Sequence, residues 1–359
     1  MSASARERLG RLLEAKGPSG FETEAASVWR SLADEFADRT WSDVYGSSFA
    51  QVGNGGRPRV MLAGHIDEIG LMVHHIDDQG FLYVKEVGGW DPQVLVGQRV
   101  EILAAGGAVP GVIGRRAVHL IERSDREKAA KLKDLWVDVG ATSGDEAREH
   151  VAVGDVAVIR SDTLELGTDL VAARSIDDRI GAVVALEALR LVAESEAAAD
   201  VVAVATTQEE VGYASGGGAR TSSFELAPDV AVVIDVTHAT DHPHLDAKEH
   251  GEIKLGEGPV LSRGAVVNQV VFRRLVEAAE REGIPHQVQA SPAGSGTDAD
   301  AIFTSRSGVA TGIVSIPNRY MHSPNQIVSM GDVEQAAALI ASFIRALETD
   351  TSFIPNRSA

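Results

Sequence analysis

The stretch VMLAGHIDEIGLMV, residues 60–73, sets His65, Asp67 and Glu68 into a run that otherwise reads as buried. A charge removed from water without a partner costs several kcal/mol, so these groups need one. Four apolar runs of the chain end in groups of this kind: VMLAG in His65 and Asp67, VVAVATTQ in Glu209 and Glu210, VAVVI in Asp235, and GIVSIPNRYM in His322. A further acidic pair, Asp177 and Asp178, stands just before a helix-like segment in ARSIDDRIG. Singly, each has an ordinary explanation: a hydrogen-bonded rim histidine, a solvated acidic pair, a turn-closing Asp235, or an Asp178 that caps its helix or pairs with Arg179. Together, two imidazoles and several carboxylates following buried runs point to a metal centre. The chain has no cysteine, so any metal must be held by His, Asp and Glu. Two ions suit this donor set better than one, each with a histidine and a terminal carboxylate, a shared aspartate between them, and a position open for water. Neighbouring residues of an extended segment point to opposite sides, so Glu209 and Glu210 should divide the work, one ligating and the other handling protons. His65 and Asp67, two apart, share a face, which lets Asp67 orient or polarise His65.

The elements that must deliver these groups are legible as an alternation of short apolar runs with helical periodicity. PRVMLAG, DVVAVATT, DVAVVID and GVATGIVSIP are apolar on consecutive positions and bounded by turn residues, as strands buried on both faces are. DDRIGAVVALEALRLVAES, NQVVFRRLVEAAEREG and GDVEQAAALIASFIRALET have helical spacing, and ARERLGRLLEAKG reads as a helix ending at a glycine. The expectation is an α/β domain with a mainly parallel sheet, whose ligand crevice lies beyond the carboxyl ends of the strands. From about Gly70 to Gly167 the pattern breaks into short, glycine-punctuated segments without a long helix, such as VGQRVEILAAGGAVPGVIG and LWVDVGATSG. This predicts a small β-barrel-like domain over 70–167, inserted into an α/β domain made of residues 1–69 and 168–359. The closing IPNRSA reads as a loose tail.

Composition narrows the possible partners. The 359 residues carry a net charge of −19 and no basic stripe, which argues against nucleic acid. No run approaches the roughly 20 apolar residues of a membrane span, and the charged opening MSASARERLGRLLEAKG does not read as a leader, so a cytoplasmic location is expected.

The order and spacing of GPSGFE, LAGHIDEIG, GVIG, VDVGATS, ARSIDDRIG, TTQEEVG, IDVTH and NRYMHSP resemble the tetrahedral (TET) aminopeptidases, dinuclear metallopeptidases also labelled glutamyl aminopeptidase or cellulase-like. The resemblance covers almost the whole chain. It implies that Asp177 bridges two divalent ions, zinc or cobalt or manganese, one completed by His65 and Asp235 and the other by Glu210 and His322. It also implies that Glu209 is the general base on a metal-bridging water, that the Asp177–Asp178 peptide bond is cis, and that short peptides with a free N-terminus are the substrates. The inserted domain would form dimers, six of which close into a tetrahedral dodecamer.

Other functions fit the same residues less well. A related co-catalytic metal hydrolase, a carboxypeptidase or N-acyl amino-acid deacylase, would resemble proteins whose extra domain follows the core ligands, whereas here it separates His65 from Asp177. A catalytically silent shell protein would have no need of Glu209 and five intact ligands. A glycosidase needs an aromatic-rich groove, and aromatics are 5% of this chain. The segment THATDHPHLDAKEH gathers His238, His242, His244 and His250 and reads as a loop flanking the pocket rather than another metal site. His74 and His75 open the insert. Lys248, Lys254, Arg263 and Arg319 are candidates for an acidic substrate side chain, and more simply for surface or pairing roles. Asp300, in GSGTDADAI, adds a charge near the site where the resemblance leads one to expect a small residue.

Overall fold

The computed structural model describes residues 3–355 apart from 54, 196 and 213–215, so residues 356–359 of the expected tail lie outside the described residues. After the helices Ala3–Glu14 and Thr23–Ala33 come three strands, β1 (Arg39–Ser42), β2 (Ser48–Val52) and β3 (Arg59–His65). Six follow: β4 (Gly70–Ile76), β5 (Leu82–Val87), β6 (Arg99–Ala104), β7 (Gly107–Arg115), β8 (Leu135–Asp138) and β9 (Val156–Ile159). The rest are β10 (Leu164–Leu166), β11 (Leu170–Ala173), β12 (Asp200–Thr206), β13 (Val230–His238), β14 (Val260–Gly264), β15 (Gln287–Ser291), β16 (Ala310–Asn318) and β17 (Gln326–Ser329).

An eight-stranded sheet in the order β1-β2-β12-β3-β13-β16-β14-β15 carries the α/β part. Its central strands β12, β3, β13 and β16 run parallel to one another, with Thr206 beside His65 and Asp235 beside Ser315. The apolar runs are strands because both of their faces are buried. Along β3, Val60 and Leu62 enter one core while Met61 and Ala63 enter the other, and β12 and β13 alternate in the same way. The larger core is roofed by the helices Ala3–Glu14, Thr23–Ala33, Ile176–Ala193, Gln269–Glu282 and Met330–Arg345. Among the described residues, the helices on the opposite face are Gly217–Leu226 and the short Ala299–Ile302.

Strands β4 to β9 close into a barrel in the order β4-β5-β8-β7-β6-β9 around a core of its own that includes Leu71, Leu82, Val100, Ile113 and Val137. Strand β10 is outside it and pairs with β11, which pairs with β17. His74 and His75 sit in β4, at a register shift opposite β5, with the His75 ring 5.8 Å from that of Tyr83. The N-terminal helix stops at Glu14, and Gly17 does a different job from ending it. A Cβ there would lie 3.1 Å from the Arg179 guanidinium and 3.2 Å from Ala25 Cβ, so glycine admits the close passage of this segment over the core.

One close approach fixes the site. A Cβ on Gly64, next to His65, would lie 2.5 Å from the Gly181 carbonyl carbon and 2.6 Å from Ala182 N. Glycine at 64 therefore allows the start of the helix Ile176–Ala193 to lie directly on the end of β3, which sets Asp177 against His65.

Candidate metal centre

The strand ends deliver the expected groups to one rim. His65 is the last residue of β3, Asp235 lies in β13, Glu209 and Glu210 follow β12, His322 follows β16, and Asp177 is in the first turn of Ile176–Ala193. His65 Nε2 is 3.1 Å from Asp177 Oδ1. His322 Nε2 is 3.5 Å from Asp177 Oδ2 and 3.4 Å from Glu210 Oε2. Ligating atoms of His65, Asp177 and Asp235 all lie within 4.8 Å of one another, as do those of Asp177, Glu210 and His322. The two clusters share Asp177. Glu209 stands beside them, its Oε2 4.0 Å from His65 Nε2. The peptide bond between Asp177 and Asp178 is cis.

The surroundings hold these groups in place. His65 Nδ1 is 3.2 Å from the Asp67 carbonyl oxygen, which can only accept, so Nδ1 carries a proton and Nε2, on the Asp177 side, is the nitrogen that would ligate a cation. Asp67 Oδ1 is 3.3 Å from the same Nδ1. Asp178 accepts the His65 backbone N–H at 3.1 Å and the Gly181 N–H at 3.0 Å. It thus serves the helix start and the strand end at once and makes no pair with Arg179. Gln326 Oε1, on β17, accepts the Asp177 N–H at 2.8 Å.

Glu209 and Glu210 diverge as expected, but strand alternation is not the cause. They lie in a turn after β12, where the backbone reverses at Gln208 (φ 58°) and Gly212 N–H donates to Glu209 O at 3.0 Å. Asp67 also does more than face His65. Its Oδ1 accepts the Glu209 N–H at 3.1 Å, and its Oδ2 accepts the Glu210 N–H at 3.2 Å and the Ser19 hydroxyl at 2.6 Å.

Glu68 has a separate answer. It is buried, bonded to Arg174 and, at 3.2 Å, to Arg179, and it accepts the Gly17 N–H at 3.1 Å. Sequence reasoning missed both arginines as partners of Glu68, because Arg179 reads as a partner of the adjacent Asp178 and Arg174 draws no notice beside the acidic pair in ARSIDDRIG.

Among the described residues, no such cation pairs with the carboxylates of the rim. Burial, then the charges of Asp235 and Asp298, push Glu209 up to about 10 despite His65. Burial and Asp177 raise Glu210, and burial lifts Asp235 and Asp178 well above the usual carboxylate range, in Asp178 with Asp235 adding to it. Asp298, buried and bonded to the Thr206 hydroxyl, is pushed up to about 6 by burial. Asp177 is held low: burial would raise it, but hydrogen bonds from His322 and His65 outweigh burial. Bonds to Asp177 and Glu210 push His322 up to about 10. Two imidazoles cannot balance Asp177, Asp235, Glu209, Glu210 and Asp298, so the rim is short of positive charge. A set of imidazole and carboxylate donors with this deficit fits divalent cations.

The rim opens into a cavity of about 470 Å³ that also includes Thr237, His238, Gln289 and Thr297. A neighbouring cavity of about 560 Å³ meets it at Glu209, Gly296 and Thr297, and is walled by Arg220, Phe224, Asp300 and Arg306. Asp300 is committed to its own loop, accepting N–H bonds from Ser295 and Gly296 and the Ser295 hydroxyl. Among the four clustered histidines only His238 reaches the first cavity, while the His242 ring lies 5.6 Å from that of Tyr320. Arg319 forks onto Asp241 with two bonds of 2.7 Å, Lys254 pairs with Glu252, and Arg263 lies over the Phe272 ring.

No helix among the described residues is long and apolar enough to cross a membrane. Comparison with known proteins agrees with the rim's chemistry. Residues 46–339 match the M42 glutamyl aminopeptidase family. The chain is 34% identical to the lysyl aminopeptidase of Pyrococcus furiosus over 348 residues, which is 95% of this chain and 97% of that protein. The solved TET aminopeptidase of a marine sediment Thaumarchaeota archaeon superposes with a TM-score of 0.91 at 35% identity, covering 96% of this chain and 97% of that one. The Pyrococcus horikoshii TET1 peptidase, which can assemble into a tetrahedron or a large octahedral shell, matches with a TM-score of 0.84 at 31% identity over 96% of this chain and 100% of that one. The chain belongs to the M42 glutamyl aminopeptidase family and is a metal-dependent aminopeptidase.

Proposed function

We propose that the chain is a cytoplasmic, dinuclear aminopeptidase acting on short peptides, with one divalent cation held by His65, Asp177 and Asp235 and a second by Asp177, Glu210 and His322. The observation that carries this reading is the pair of donor clusters meeting at Asp177. Zinc, cobalt and manganese all suit imidazole and carboxylate donors. Bound there, such cations supply Lewis acidity, acidifying a water and stabilising the charge that develops on the scissile carbonyl.

Glu209 ligates neither cation in this assignment and serves as the general base. It takes a proton from the attacking water as the new C–O bond forms, and passes that proton to the amine nitrogen as the C–N bond breaks. Asp67 keeps His65 in the Nδ1–H tautomer and fixes the turn that bears Glu209 and Glu210. We further propose that the β4–β9 barrel pairs chains into dimers and that six dimers close into a dodecamer. The support for this is the likeness to the Pyrococcus horikoshii TET1 peptidase.

The test is Glu209→Gln measured on a panel of aminoacyl chromogenic substrates with N-acetylated controls and several divalent ions. The variant should keep its metal and lose turnover by about 10²- to 10⁴-fold, with the acetylated substrates inert throughout. A variant with a near-normal rate would remove Glu209 from the base role, and cleavage of acetylated substrates would remove the need for a free N-terminus.

A further inference from the structure

The turn that carries Glu209 is held from outside the α/β strand ends, by the N-terminal segment GPSGFE. Three successive backbone N–H groups of the turn end on two buried carboxylates. Gln208 N–H donates to Glu22 Oε1 at 3.2 Å, Glu209 N–H to Asp67 Oδ1 at 3.1 Å, and Glu210 N–H to Asp67 Oδ2 at 3.2 Å. Glu22 stands at the mouth of the helix Thr23–Ala33, 6% exposed, where its side chain makes no capping bond to that helix. Its Oε1 instead receives Gly20 N–H at 2.6 Å together with Gln208 N–H.

Gln208 needs such a hold. It is a side-chain-bearing residue at φ 58°, a left-handed conformation that persists only where its surroundings over-determine it. Its own amide oxygen accepts the Tyr45 hydroxyl at 3.3 Å, so side chain and backbone are both anchored. The GPSGFE segment is itself pinned to the link between β3 and β4 that carries Asp67: Ser19 N–H donates to Glu68 O at 3.2 Å, Glu68 N–H to Gly17 O at 3.0 Å, and the Ser19 hydroxyl to Asp67.

We infer that Glu22 is a positioning residue for the general base, setting the backbone of Gln208 and thereby the aim of Glu209, without touching substrate or metal. The inference rests on the assignment of Glu209 as the base. A base displaced by about 1 Å can lose on the order of 100-fold in rate, whereas substrate affinity, which depends on the cavity walls, should not move.

The experiment compares Glu22→Ala, which removes the acceptor, with Glu22→Gln, which keeps an oxygen at the same reach, in the metal-loaded full chain. Glu22→Ala should lower kcat by about 10- to 100-fold with KM within about twofold and metal content unchanged, and Glu22→Gln should recover most of the loss. If Glu22→Ala does not fold, Glu22→Asp, one methylene shorter, takes its place against Glu22→Gln, with the same loss and the same recovery expected. Normal kcat in the shortened or truncated variant, or equal losses in it and in Glu22→Gln, would overturn the inference. Glu209→Gln assayed alongside separates the two claims: if it is inactive while Glu22→Ala keeps full kcat, only the role of Glu22 fails, and if it is active, the base assignment fails first.

Discussion

Glu68→Gln removes one negative charge from a site shielded from bulk solvent. Glu68 is 2% exposed; Arg179 Nη2 sits 3.2 Å from Oε1, Gly17 N 3.1 Å from the same oxygen, and Arg174 Nη1 bonds Oε2. The glutamine can keep its oxygen toward Arg179 and Gly17, but its NH₂ then faces the guanidinium of Arg174, donor against donor. Breaking a buried pair by removing one partner costs about 3–5 kcal/mol. Both arginines keep carbonyl partners, Arg174 on Glu14 O and Ala15 O and Arg179 on Leu12 O and Ala15 O. That places the loss at the lower end, about 3 kcal/mol, or roughly a hundredfold in the ratio of folded to unfolded chain. Urea unfolding at a fixed protein concentration measures it, since the assembly proposed above would make stability concentration-dependent. Turnover per folded molecule should be unchanged, because Glu68 lines neither cavity beside the metal rim. A loss below about 1 kcal/mol would mean that the buried network is not what holds this segment. Lost turnover at full stability would move Glu68 into the reaction.

Other perturbations test the supports one at a time. Gly64→Ala puts a methyl 2.5 Å from the Gly181 carbonyl carbon, and should cost about 1–3 kcal/mol and lower metal content by parting Asp177 from His65; unchanged metal content by elemental analysis would contradict the close-approach argument. Asp67→Asn turns a donor toward a site that receives the Ser19 hydroxyl and the Glu209 and Glu210 N–H groups, and should lower kcat by about 10-fold or more; a normal kcat would show that the turn is held otherwise. Burial would raise the Asp241 carboxyl, but the Arg319 fork outweighs it and holds the group below its ordinary value. With the folded value lowered, its contribution to stability is complete above the unfolded value near about 4 and is lost as pH falls through the folded one. The Tm difference between wild type and Asp241→Asn should therefore be constant above about pH 5 and shrink toward pH 3, and a difference that grows with acid would contradict the pairing.

The central strands were legible in the sequence because nothing interrupts their burial: every residue of Asp200–Thr206 and all but the first of Arg59–His65 are buried. A run buried on both faces is apolar at every position, and the polar group that ends it then stands out. That is why His65, Glu209, Glu210, Asp235 and His322 stand out in the sequence as groups that end buried runs. What escaped depends on contacts between distant segments. Glu68 and its arginines are more than a hundred positions apart, and the grip of Glu22 on Gln208 spans 186. The divergence of Glu209 and Glu210 was expected for a reason that does not apply, since a left-handed residue before them places them in a turn rather than a strand. Trp29, fully buried with its indole N–H on Ala182 O, belongs to a helix, Thr23–Ala33, that the sequence pattern did not announce.

The most direct measurement of the central claim is anomalous diffraction at the absorption edge of cobalt or zinc, on crystals of the metal-loaded protein. Two peaks per chain are expected, one among His65, Asp177 and Asp235 and one among Asp177, Glu210 and His322; Asp235→Ala should remove the first and His322→Ala the second. A single peak, or peaks away from Asp177 in fully active protein, would contradict the account.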